Sequence, residues 1–147
     1  MFLEVSTDLL SRGYSVRFRP GGHSMHPTIR DGEAVTVEPV APGKVKRGDI
    51  VLYRTAGGVI AHRVMLIERR EDKPEVFHLR GDASTSPDAP VRAEQILGRV
   101  VSVERTGRTV SLINLRAKML GPVRARIFRL LARLWANLNF TSAKNAR

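Results

Sequence analysis

The chain has no cysteine, so a disulfide framework, a thiolate zinc site and a cysteine nucleophile are all excluded. Any nucleophile must be oxygen or nitrogen. Nowhere does it hold an apolar run approaching the ~18 residues that cross a bilayer as a helix. Its opening stretch, MFLEVSTDLLSRGYS, carries Glu4 and Asp8 and is too interrupted for a signal peptide. No N-terminal membrane anchor is therefore expected. Internal repeats and Ser- or Pro-rich linkers are missing too. Acidic residues are absent from residues 105–147, which hold 10 Lys or Arg, whereas residues 1–104 hold 15 Lys or Arg against 14 Asp or Glu. The net charge of +11 thus belongs to the tail, and the body is a near-neutral unit whose charge points to no polyanionic partner.

What is there suits one globular domain with a short appendage. The 147 residues are 42% apolar and 27% charged, with 12 Gly and 8 Pro, which places the chain far from collagenous or disordered sequences. Residues 2–11 read as a short helix stopped at Gly13, and YSVRFR at 14–19 alternates apolar and basic residues like a strand. Short β runs follow at 34–39, 50–54, 59–67, 76–80, 96–104 and 109–112, separated by turn pairs such as Asp31-Gly32, Gly48-Asp49, Gly57-Gly58 and Gly81-Asp82. Many strands and few helices predict a compact, coiled sheet or barrel-like body over residues 1–111.

From residue 112 onward the period changes. Leu115, Met119, Val123, Ile127, Leu130, Leu134 and Leu138 recur at three- and four-residue steps, with Gly121-Pro122 as a break. On a helix beginning at 122 the apolar residues fill an arc of roughly 160°, with Arg126, Arg129 and Arg133 opposite. Residues 112–147 are expected to form a basic amphipathic helical tail. Either its stripe packs on the body, or residues 122–138 lie on an anionic membrane surface. Nucleic acid is the weaker partner for it, because the tail has no interleaved exposed aromatics and no recognisable binding fold. The expected location is accordingly membrane-peripheral or cytoplasmic.

The chemistry-bearing segment is GGHSMHPTIRDGE, residues 21–33. Ser24 follows a Gly pair and stands three residues before Pro27, which makes it a stiffly held, exposed hydroxyl. A serine hydroxyl needs a base, and His62 is the candidate: it lies in the predicted strand VIAHRVMLI on the face of Ile60, Val64 and Leu66. The competing reading is a core histidine satisfied by a backbone carbonyl. A carboxylate that fixes the His tautomer is offered by Asp82 or Asp88 in RGDASTSPD, where the competing reading is ordinary turn chemistry. Asp82, directly after Gly81 at a strand end, is expected to be held more firmly than Asp88, which follows Pro87 in a polar loop. Arg63 alternates away from His62 and is expected to be solvated. Thr28 reads as a turn stabiliser, and Met25 as an apolar anchor of the loop. His23 and His26, with His62 or His78, have no acidic ligand at a defined spacing, so no metal site is expected.

Taken together, SMHPTIRDGE, RGDIVLYR, IAHRV and LRGDASTSPD resemble the serine peptidase clan of the type I signal peptidases. The HRV context and the second aspartate six residues after RGD are similar to its archaeal and endoplasmic-reticulum-like branch, in which the base is histidine and not lysine. The resemblance covers roughly residues 21–101, with Gly98 fitting the closing strand. It implies a mainly β, signal-peptidase/LexA-like body. It also implies a serine endopeptidase acting on a protein or peptide substrate, with Ser24 as nucleophile, His62 as general base, and Asp82 and Asp88 at the two acidic positions. No cofactor is implied. Gly22 stands where many bacterial members carry a hydroxyl beside the oxyanion hole, which leaves that role to backbone N–H groups around Ser24. The rivals are an inactive adaptor or binding module of the same fold and a LexA-like self-cleaving regulator. The second is disfavoured by the histidine and by the lack of room for a DNA-binding domain.

Overall fold

A computed structural model describes residues 2–113, and the expected helical tail lies outside them from residue 114 on. Helix α1 (Phe2–Ser11) turns Leu10 into the core and leaves Val5 and Leu9 outside. It closes with a pair of backbone bonds, Tyr14 N–H to the Leu9 carbonyl and Gly13 N–H to the Leu10 carbonyl. Gly13 has φ +90°, the left-handed conformation that this kind of helix stop requires and that a side chain resists.

Eight strands follow: β1 (Val16–Phe18), β2 (Ala34–Glu38), β3 (Ile50–Thr55), β4 (Gly58–Arg70), β5 (Lys73–Arg80), β6 (Val91–Arg92), β7 (Ile96–Arg105) and β8 (Arg108–Ser111). They form one antiparallel sheet in the order β1-β2-β7-β3-β4-β5-β6, with β8 on β7. The mainly β reading of the body holds. Every run predicted as a strand contains one, although β4 and β5 extend beyond theirs. Strand β6 and the two 3-10 turns, Pro42–Lys44 and Ala93–Gln95, went unforeseen because two or three residues are too few for alternation to register.

Strand β7 changes partners along its length, pairing β3 over Ile96–Val100, β2 over Arg99–Glu104 and β8 over Ser102–Arg105. Two apolar clusters result. One gathers Val35, Val37, Leu52, Val100 and Val103 with Leu10, Met25 and Ile29; the other gathers Val51, Tyr53, Val64, Phe77 and Leu79. Because neighbours Val51 and Leu52 fall in different clusters, β3 is covered on both faces. This accounts for its continuous apolar run IVLY. Strand β3 is therefore a rigid central reference for whatever its neighbour β4 carries.

Candidate active site

The loop between β1 and β2 presents Ser24. Its neighbours fix it from below: Met25 and Ile29 are buried in the first cluster, and Ile29 N–H bonds the Met25 carbonyl at 2.9 Å. Gly22 N–H donates to Asp31 Oδ1 (3.0 Å), the Arg19 guanidinium bonds the Gly32 carbonyl (2.5 Å), and the Ser24 carbonyl accepts Ala83 N–H (2.8 Å). The His26–Pro27 peptide is cis. Ser24 is thus an exposed hydroxyl between pinned residues, as the sequence led us to expect.

His62 sits on β4 directly opposite Val51 of β3 and is 7% exposed. Its Nε2 lies 2.9 Å from Ser24 Oγ and its Nδ1 2.6 Å from Asp88 Oδ2. A neutral ring with its proton on Nδ1 satisfies both contacts: Nδ1–H donates to the carboxylate, and the Nε2 lone pair accepts the Ser24 hydroxyl. The face that His62 was expected to share with Ile60, Val64 and Leu66 forms an apolar wall only in part. Val64 is buried, but Ile60 is 37% exposed, and the register shift between Val64 and Leu66 takes Leu66 off the alternating face.

The two acidic candidates separate: Asp82 is the more firmly held, as expected, but Asp88 is the one beside His62. Asp88 is the carboxylate on His62; its loop is folded back by Asp88 N–H bonding the Leu79 carbonyl at 2.9 Å. Asp82 instead takes both arms of Arg63, Nε to Oδ1 and Nη2 to Oδ2, each at 2.7 Å. It also accepts the Thr28 hydroxyl at 2.5 Å. Arg63 is not solvated: it is 8% exposed, and Nη1 donates to the Gly48 carbonyl at 2.9 Å. A buried guanidinium has to be paired, and Asp82 is its partner. The Thr28–Asp82–Arg63 cluster ties the serine loop, the loop after β5 and strand β4 together beside the Ser24–His62 contact, so Thr28 does more than stabilise its own turn.

Gly81 makes that junction sterically feasible. A Cβ there would lie 2.6 Å from the Ser24 carbonyl oxygen and 3.1 Å from His62 Nε2, closer than a side chain at this position tolerates.

A further residue reaches the site from β3. The Tyr53 hydroxyl donates to Asp88 Oδ2 at 3.0 Å, and its ring centroid lies 6.3 Å from that of His62. Burial first, and then the charge of and hydrogen bond to Asp88, push the phenol well above its ordinary value, which keeps it a proton donor. Sequence reasoning missed Tyr53, although a signal existed. The two-residue turn at Ala56-Gly57 closes the β3–β4 hairpin in a register that sets Val51 against His62, and Tyr53 follows two residues later on the same face.

Away from this cluster, Lys44 and Lys46 are exposed, His23 and His26 are exposed, and His78 pairs with Glu68 at 2.7 Å. Among the described residues no group of three His, Cys, Asp or Glu converges as a metal site, and no helix is long and apolar enough to cross a membrane.

Beside Ser24 and His62 opens a cleft of about 540 Å³, lined by Phe18, Met25, Ile29, Leu52, Val59 and Ile60 among others. It can bury apolar side chains next to the Ser24 hydroxyl. The family model described as Peptidase S24-like matches residues 3–101, which spans α1 through most of β7 and includes Ser24, His62, Asp82 and Asp88. No curated protein matches the chain.

Proposed function

Because this chain belongs to the Peptidase S24-like family, we propose that it is a serine endopeptidase of the signal peptidase type, hydrolysing a peptide bond in a protein substrate. The observation that carries the reading is the unbroken contact series Ser24 Oγ, His62 Nε2, His62 Nδ1, Asp88 Oδ2. That series supplies a nucleophile, a base and a group that fixes the base's tautomer. Ser24 Oγ attacks the carbonyl carbon while Nε2 takes its proton. As the C–N bond breaks, the imidazolium returns that proton to the departing amine and leaves an acyl ester on Ser24. Water, giving its proton to the same base, attacks the ester; the bond from the acyl carbon to Oγ breaks, the acyl group leaves as a carboxylic acid, and Nε2 returns the proton to Oγ. Asp88 keeps the proton on Nδ1 and offsets the imidazolium charge that forms in each half-reaction. Backbone N–H groups around Ser24 stabilise the oxyanion.

The histidine in place of a lysine favours the archaeal and endoplasmic-reticulum-like branch. The apolar cleft favours a peptide that presents aliphatic residues beside the scissile bond. For residues 122–138, the partner is an anionic membrane surface, supported by 10 basic and no acidic residues after Glu104. Full-length protein is expected to sediment with anionic vesicles, less with neutral ones and less again at high salt. Indifference to vesicles would remove the membrane from the proposal, and retention on nucleic acid would replace it.

The activity is tested by incubating the purified protein and Ser24→Ala with a mixed peptide library and identifying cleavage products by mass spectrometry. Cleavage at aliphatic sites by the native chain alone is the expected result. Equal cleavage by both proteins would overturn the serine mechanism, and cleavage by neither would point to the adaptor reading.

A further inference from the structure

We infer that Tyr53 is a positioning residue of this site: its hydroxyl anchors Asp88 to the rigid centre of the sheet so that the carboxylate meets His62 Nδ1. The inference rests on the proposed use of Ser24, His62 and Asp88 and adds a fourth member that works through Asp88.

Asp88 belongs to the irregular segment between β5 and β6, and its side chain is 22% exposed. Near it in sequence, Pro87 and the backbone bond from Asp88 N–H to the Leu79 carbonyl fix the main chain but not the rotamer. Tyr53 is the opposite case. It is 2% exposed, and it sits in β3 with β4 on one side and β7 on the other, within the cluster of Val51, Phe77 and Leu79. The phenol oxygen therefore has a fixed place. From there it donates to Oδ2, the same oxygen that receives Nδ1 of His62 at 2.6 Å. Two donors converging on one carboxylate oxygen, one from β3 and one from β4, define where that oxygen must be. A buried hydroxyl with no such duty would be replaced at little cost by phenylalanine. This one donates to a carboxylate that a ring nitrogen of His62 also contacts.

Tyr53→Phe tests the inference because it keeps the ring and removes only the donor. Turnover is expected to fall about tenfold with KM changed less than about twofold, as befits the loss of one hydrogen bond to a charged group that acts after binding. In an Asp88→Asn background the same change is expected to cost less than about twofold, since the group it positions is gone.

A spectroscopic arm needs no turnover. The native protein is expected to show a strongly downfield proton resonance from His62 Nδ1–H, assigned by its absence in His62→Gln. In Tyr53→Phe it should move upfield or broaden through exchange with water. An unchanged resonance with unchanged turnover, or a tenfold loss repeated in full on Asp88→Asn, would overturn the role of Tyr53. Should Tyr53→Phe fail to fold, a ring-fluorinated tyrosine at position 53, a stronger donor, is expected to shift the same resonance, and a resonance that stays put counts against the inference. A chain that cleaves nothing but shows the shift would refute the peptidase reading alone.

Discussion

Two carboxylates six residues apart in one loop, Asp82 and Asp88, do different work. Asp82, at the loop's start, is locked in a two-pronged pair with Arg63, and both side chains are 10% exposed. Asp88, at its end, faces a titratable ring. The partner decides the role: a permanently charged guanidinium makes a brace, whereas an imidazole that gains and loses a proton in the proposed mechanism makes a relay. One loop thus ties down the serine loop and, in the proposed mechanism, orients the base.

The sharpest way to break this comparison is to remove the relay's centre. His62→Ala is expected to lower peptide cleavage about a thousandfold or more, because nucleophile and base act as one unit. Melting should show the protein still folded, and Lys44→Ala and Lys46→Ala should leave cleavage intact.

The aspartates themselves come next. Asp88→Asn should cost on the order of a hundredfold or more in turnover with little loss of stability, since an amide supports the wrong tautomer of the ring. Asp82→Ala should do the reverse, destabilising the fold by about 3 kcal/mol because Arg63 is left buried without its counter-charge. Activity per folded molecule should fall far less. Matched denaturation curves and kinetics give both readings, and a larger kinetic loss at Asp82 would exchange the two roles.

Gly81→Ala sharpens the geometry between the two acids. With the Ser24 carbonyl 2.6 Å from the new Cβ, the serine loop must retreat from His62, and roughly 1–3 kcal/mol of overpacking strain is expected. Cleavage should drop about tenfold at least, a misplacement effect. Native-like kinetics in this variant would show that the loop's place is set elsewhere.

The smallest effect lies at the loop's far end. Arg105 bonds Glu33 at 2.5 and 3.0 Å and the Thr28 carbonyl at 3.2 Å. Its hydrogen bonds hold the Glu33 carboxyl at about 2, below the ordinary 4.5. A lowered value in the folded state means that this contribution is complete above about pH 4.5 and disappears as pH falls toward 2. After solvent screening it is worth about 1 kcal/mol. Glu33→Gln should flatten the stability profile across that window, and a profile parallel to the native one would remove the pair from the account.

Much of this was legible beforehand because the physics involved is local. Alternation located the strands, and a Gly pair before Ser24 with a proline after it marked a stiff loop. What resisted reading depends on closure in three dimensions. Arg63 reads as solvated from alternation alone, which gives out where a strand carries a paired charge inward. Closeness to a strand end marked Asp82 as the firmer acid but said nothing of which acid meets His62, and the loop's return to Leu79 delivers Asp88 there. Tyr53 acts on a partner 35 residues away, and only the hairpin register links it to the site. The tail, from residue 114 on, lies outside the described residues.

The central claim is that Ser24 is a nucleophile made reactive by His62. A serine-directed electrophile added to the full chain, followed by peptide mapping, tests it most directly. The account predicts a single adduct on Ser24, formed at neutral pH, abolished in Ser24→Ala and slowed strongly in His62→Ala. No adduct on Ser24, or one that forms equally fast without His62, would contradict it.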